Sequence, residues 1–161
     1  MENIFVTNNS EQTRKLGEIL ASELKGGEVV CLSGDLGAGK TTFTQGLLKG
    51  LGVKGPYMSP TFLIMKEYKW EITIYKLQIT NYKQITKSKI QNIYHVDAYR
   101  VDGEDMLGLG WEEIVADKNN VIIVEWAERI CDIIPENSLW VRFEWIGENE
   151  RRITFGNSPN F

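Results

Sequence analysis

Gly34-Asp35-Leu36-Gly37-Ala38-Gly39-Lys40-Thr41 fits G-x-x-x-x-G-K-[ST] at every fixed position, and its reading decides the fold. Upstream, Glu28-Val29-Val30-Cys31-Leu32-Ser33 reads as a short buried strand. Downstream, Thr42 to Leu51 carries Phe43, Leu47, Leu48 and Leu51 at helical spacing. Strand, glycine loop and helix together are the context a phosphate-binding loop requires.

Glycines let such a loop turn with positive φ and bring its backbone close to a ligand. The amides then converge on an anion at the positive end of the following helix. The backbone of Asp35, Leu36, Gly37, Ala38 and Gly39 would form that cradle. Lys40 would reach the β- and γ-phosphates, the Thr41 hydroxyl would ligate Mg²⁺, and Thr42 is placed to meet the α-phosphate.

Working outward, three further stretches can serve that chemistry. Val121-Ile122-Ile123-Val124-Glu125 is a continuous apolar run, as in parallel strands buried on both faces. Its terminal carboxylate, Glu125, stands where a second Mg²⁺ anchor belongs, and Trp126 would lie beside the nucleotide. Ile93-Tyr94-His95-Val96-Asp97 alternates like a strand. Asp97 at its end can orient a water, or else pair with Arg100, while His95 reads as a packed, hydrogen-bonded residue. In Ser59-Pro60-Thr61-Phe62, Thr61 can sense the γ-phosphate through Mg²⁺ as switch segments do. An ordinary loop-to-strand junction explains the same residues equally well.

The rest is scaffold. Ile4-Phe5-Val6 reads as an edge strand, and Asn9 with Gln12 as a capping box for a helix. Leu16, Ile19, Leu20 and Leu24 give that helix its apolar face, and Gly26-Gly27 ends it. Gly50, Gly52, Gly55 and Pro56 mark a loop, and Gly103 to Asp117 a short helical region with a solvated acidic face. Leu139 to Phe143 and Arg152 to Phe155 read as a hairpin turning near Gly147 to Glu150. Trp140 and Trp145 fall in its core or on a sheet face, with a frayed end from Asn157. Asp117-Lys118-Asn119-Asn120 has the wrong order for a guanine-reading N-K-x-D and lends no support to a GTPase.

Between about residues 69 and 92 lie five lysines and one acid, with Trp70, Tyr75 and Tyr82 among them. Basic residues interleaved with aromatics can touch RNA. The reading adopted is a solvated β-hairpin whose lysines blunt an exposed edge.

At 161 residues the chain is most economically one domain, 1–161, long enough to build a core without staples. A net charge of −4 gives no global basic footprint for nucleic acid. Cys31 and Cys131 have no metal-ligand spacing and suit a reduced chain, with Cys31 a small buried hydrophobe. No run of 18 apolar residues offers a membrane span, and Met1-Glu2-Asn3-Ile4 lacks the regions of a signal peptide. The expectation is a cytoplasmic protein that meets no membrane.

Four stretches in this order, Gly34 to Phe43, Ser59 to Phe62, Tyr94 to Arg100 and Val121 to Trp126, together resemble the TsaE (YjeE) family of bacterial ATPases. The likeness runs from the N-terminal helix to about Pro135. It implies an α/β, P-loop NTPase-like domain with a central, mostly parallel sheet flanked by helices. It also implies slow, Mg²⁺-dependent ATP hydrolysis in support of N6-threonylcarbamoyladenosine synthesis in tRNA. The partner would be a TsaD–TsaB-type complex, with tRNA met only through it. Carried over, Lys40, Thr61 and Asp97 become catalytic, Thr41 and Glu125 the metal pair, and Thr42 and Trp126 nucleotide contacts. The long connection at 69–92 departs from the shorter one usual in the family, which puts the partner surface in question.

Two rivals share the motif. A small-molecule or nucleoside kinase would need an acceptor pocket and a lid rich in arginine, and this chain has only Arg14, Arg100, Arg129, Arg142, Arg151 and Arg152. A binding module that uses ATP without hydrolysing it would need the loop alone.

Overall fold

Val29 to Leu32 are all buried, and a strand apolar on both faces can only sit inside a sheet covered on both sides. The computed structural model of the chain describes residues 3–70 and 89–159. The expected lysine-rich hairpin falls largely on residues 71–88 and lies outside the described residues. In chain order the elements are β1 (Asn3–Thr7), α1 (Ser10–Ala21), β2 (Val29–Ser33), α2 (Lys40–Gly50), β3 (Met65–Lys69) and β4 (Asn92–Asp97). Then come α3 (Gly103–Gly108), α4 (Trp111–Ala116), β5 (Asn120–Glu125), a 3₁₀ segment (Ala127–Ile133), β6 (Leu139–Trp145) and β7 (Arg151–Gly156).

The seven strands form one sheet in the order β1-β7-β6-β2-β5-β4-β3. Its centre is parallel, with β2 between β6 and β5 and with β4 beside β5. The outer pairs β1–β7, β6–β7 and β3–β4 are antiparallel. This is the α/β architecture the sequence implies. Among the described residues no helix is long and apolar enough to cross a membrane.

One sheet face is covered by α1 and α2, where Phe43 meets Phe143 edge to face at 5.3 Å. The other carries the short helices, with Met106, Trp111 and Ile130 over Cys31, Val124 and Trp140. Trp111 anchors its helix by donating from Nε1 to the Ile133 carbonyl at 3.0 Å.

Helix α1 departs from the expected pattern. Asn9 caps it as read, accepting from the Gln12 amide at 2.8 Å while Gln12 reaches back to the Asn8 amide rather than that of Asn9. Thr13, Gly17 and Ala21 are buried against α2, and Leu16, Leu20 and Leu24 pack on the core as read, whereas Ile19 is 54% exposed. Small residues won because α1 lies backbone to backbone on α2: a Cβ at Gly46 would strike the Arg14 carbonyl, and one at Gly17 the Phe43 carbonyl. The helix also stops before Gly26-Gly27, since Ser22 donates its hydroxyl to the Ile19 carbonyl and closes the last turn. The helical region 103–117 consists of two short helices, broken at Gly110, whose φ is +83°. Trp145 is 66% exposed at the hairpin end, while Trp140 is in the core.

Candidate functional site

In an open parallel sheet, ligands bind beyond the carboxyl ends of the strands. Here β2 ends into the glycine loop, β5 ends at Glu125 and β4 ends at Asp97, with Asp97 and Glu125 directly opposed in the β4–β5 register. A cleft of about 320 Å³ opens at that edge. From the sequence-predicted set, Leu36, Gly37, Gly39, Lys40, Thr41, Thr42, Thr61, Asp97, Glu125 and Trp126 all line it. Asp35 and Ala38 do not: the Ala38 side chain is buried in the core, so only its backbone can serve the cradle.

The loop is shaped by close contact. Gly34 has φ +125°, and a Cβ there would collide with the Phe143 carbonyl, so the loop is pressed against β6. Gly39, at φ +107°, turns the chain so that α2 begins at Lys40 with its amides facing the cleft edge.

Lys40 is 5% exposed. Its ammonium donates to the carbonyls of Gly34 and Asp35 and lies 3.6 Å from the centroid of the Trp126 ring. Burial pushes its pKa below the usual lysine value, and Glu128, Glu125, Asp35 and Asp97 act in the opposite direction. Trp126 is held over the lysine by a left-handed turn, φ +60°, a conformation that costs a non-glycine residue on the order of 1 kcal/mol.

Thr41 donates to Glu125 Oε2 at 2.7 Å. Glu125 is 2% exposed, and its other oxygen, Oε1, sits 2.8 Å from His95 Nε2. A hydroxyl and a carboxylate are hard oxygen donors, the kind Mg²⁺ takes. Two protein donors beside a phosphate cradle suit an ion that keeps several waters and binds phosphate oxygens. The donor set therefore fits the metal.

Asp97 makes no ion pair with Arg100. Its Oδ2 accepts from Ser59 at 2.7 Å and from Thr61 at 2.9 Å, and Oδ1 accepts from the Tyr99 amide at 3.0 Å. The Ser59–Thr61 stretch is thus docked on the strand-end carboxylate. Arg100 instead lies over the Phe62 ring at 5.5 Å and borders the cleft.

Sequence reasoning passed over three of these groups. Ser59 carries the same signal as Thr61, since residues two apart in extended chain share a side, and Pro60 favours that extension at Ser59. Tyr99 packs against Trp126 with ring centroids 4.9 Å apart and planes tilted by 50°. Glu128 accepts from the Gly34 amide at 3.4 Å, and its position three residues past Glu125 in a 3₁₀ turn gave no signal. His95 is packed and hydrogen-bonded as expected.

A family model described as "Threonylcarbamoyl adenosine biosynthesis protein TsaE" matches residues 7–153. Curated proteins called "tRNA threonylcarbamoyladenosine biosynthesis protein TsaE" are similar over most of the chain. The one from Bacillus subtilis is 37% identical over 149 residues, 92% of this chain and 82% of its own. The one from Aquifex aeolicus is 38% identical over 152 residues, 92% of this chain and 91% of its own. The crystal structure of YdiB from Bacillus subtilis matches with a TM-score of 0.70 at 32% identity, covering 99% of this chain and 88% of that one.

Proposed function

Because the chain belongs to the TsaE family of threonylcarbamoyl adenosine biosynthesis proteins, we propose that it is a Mg²⁺-dependent ATPase serving threonylcarbamoyladenosine modification of tRNA. It acts on a TsaD–TsaB-type complex and meets tRNA through that complex. The observation that carries the reading is the convergence of Lys40, Thr41, Thr61, Asp97, Glu125 and Trp126 on one cleft from four separate stretches of chain.

ATP enters with its phosphates against the amides that open α2. Lys40 already points into the loop, where its ammonium can pass from the Gly34 and Asp35 carbonyls to phosphate oxygens. Thr41 and Glu125 would hold magnesium, which would supply neutralisation of the charge that builds on the phosphate oxygens. Asp97 orients the attacking water and draws on its proton as the oxygen–phosphorus bond forms and the bond to ADP breaks. Ser59 and Thr61 keep the Asp97 carboxylate in place for that task. Trp126 and Tyr99 form an aromatic wall against the loop. Phosphoryl transfer is mainly positioning and charge neutralisation, so these groups suffice for a slow reaction. Acceleration would come from Arg100 or from a group on the partner complex.

The kinase reading is weaker, because Arg100 is the only arginine among the described residues lining the cleft. The test is reconstitution with a TsaD–TsaB complex. Wild-type protein with ATP and Mg²⁺ should support modification of tRNA and bind the complex in a nucleotide-dependent way. Full modification by a variant that binds ATP without hydrolysing it would reduce the role to a nucleotide-gated binding module. Phosphate passing to a small acceptor would revive the kinase.

A further inference from the structure

We propose that His95 is a positioning residue for the metal pair: through Nε2 it fixes one oxygen of Glu125 so that the other is presented beside Thr41. The inference rests on the magnesium assignment of Glu125 made above and adds a residue to it.

Glu125 is held at three points. Its backbone is locked in β5 between β2 and β4, Oε2 accepts from Thr41, and Oε1 faces His95 Nε2 at 2.8 Å. A carboxylate only accepts, so the proton of that last bond is on Nε2. His95 sits on β4 two residues before Asp97, on the same sheet face, and lies opposite Ile123 in the β4–β5 register. Both partners are almost wholly buried, 1% and 2% exposed by side chain, so no bulk water competes for Oε1.

A purely structural role explains this site poorly. His95 Nδ1 is buried and has no hydrogen-bond partner among the described residues. An orphaned buried polar atom costs about as much as one good hydrogen bond to a charged group returns. The pair therefore adds little net stability. What it does supply is direction: with Oε1 held, the carboxylate cannot turn its second oxygen away from the cleft. Outer groups that orient a metal-binding carboxylate typically change metal affinity by ten- to a hundredfold when removed.

The experiment measures Mg²⁺ affinity by calorimetry in protein saturated with a non-hydrolysable ATP analogue, alongside metal-free nucleotide affinity and thermal melting. His95→Gln keeps a side-chain N–H near the Nε2 position, while His95→Asn is too short to reach Glu125 and His95→Leu has no donor. The expected result is near-wild-type Mg²⁺ affinity for His95→Gln. A loss of about tenfold or more is expected in His95→Asn and His95→Leu, with metal-free nucleotide affinity unchanged in all three. If His95→Leu does not fold, the Gln–Asn contrast decides. Folded His95→Asn with wild-type Mg²⁺ affinity would overturn the inference, as would His95→Gln falling as far as His95→Asn. Wild-type protein that takes up nucleotide but no Mg²⁺ would instead remove the metal assignment on which the inference stands.

Discussion

Lys40 keeps its ammonium almost out of water, with two carbonyls and an aromatic ring for company. Burial lowers its folded-state pKa, so unfolding takes up a proton in the interval between that lowered value and the ordinary lysine value. Below the interval the penalty is present in full, and it fades as pH rises through it. The urea-unfolding free energy of wild type should therefore gain on that of Lys40→Met as pH is raised through the alkaline range. Glu125→Ala removes the proposed metal ligand and leaves the Thr41 hydroxyl without its acceptor. Its Mg²⁺-dependent hydrolysis should fall by about a hundredfold or more, read by phosphate release, while metal-free nucleotide binding persists. The two cysteines should separate cleanly. Cys31 is wholly buried and its thiol is pushed up by desolvation, whereas Cys131 is exposed. One thiol should react with an aromatic disulfide reagent in native protein and two in urea.

At the scale of elements, the contact between α1 and α2 is set by backbone approach. Gly46→Ala improves intrinsic helix propensity by up to about 1 kcal/mol. It also drives a methyl into the Arg14 carbonyl, so the net effect should be destabilisation of roughly 2 kcal/mol or more, seen as a lower denaturation midpoint. Gly108→Ala, with nothing within 4 Å, should be neutral or slightly stabilising in the same assay. Legibility in the sequence follows the same division. Strands β2 and β5 and the loop after β2 were readable because continuous apolar runs and a fixed glycine pattern leave one physical solution, and β4 was readable from its alternation. On α1 and just past its end the apolar spacing placed Leu16, Leu20 and Leu24 correctly toward the core but not Ile19, and it does not mark the small residues Gly17 and Ala21 that make the closest contact with α2. Asp97 and Glu125 were readable as strand-end residues, and Thr61 as a loop residue near the cleft. The Ser59 latch on Asp97 and the Glu128 bond to Gly34 depend on three-dimensional approach that no spacing encodes.

For the molecule as a whole, the sheet separates what is fixed from what can vary. Strands β3 and β4 are antiparallel, so the chain leaves β3 and re-enters β4 at the end away from Asp97, roughly 17 Å from it along the strand. The stems are tied there: the Trp70 amide donates to the Gln91 carbonyl at 2.8 Å, and Trp70 Nε1 donates to the Leu51 carbonyl at 2.7 Å. Replacing residues 71–88 with a short glycine-containing turn should leave nucleotide affinity unchanged and shift stability by no more than about 1 kcal/mol, by calorimetry and melting. The same stems make the junction a natural splice port. A fluorescent reporter or surface tether inserted between them would ride on the far rim of the sheet and leave the cleft beside Asp97 clear, so binding there could be watched without obstructing it.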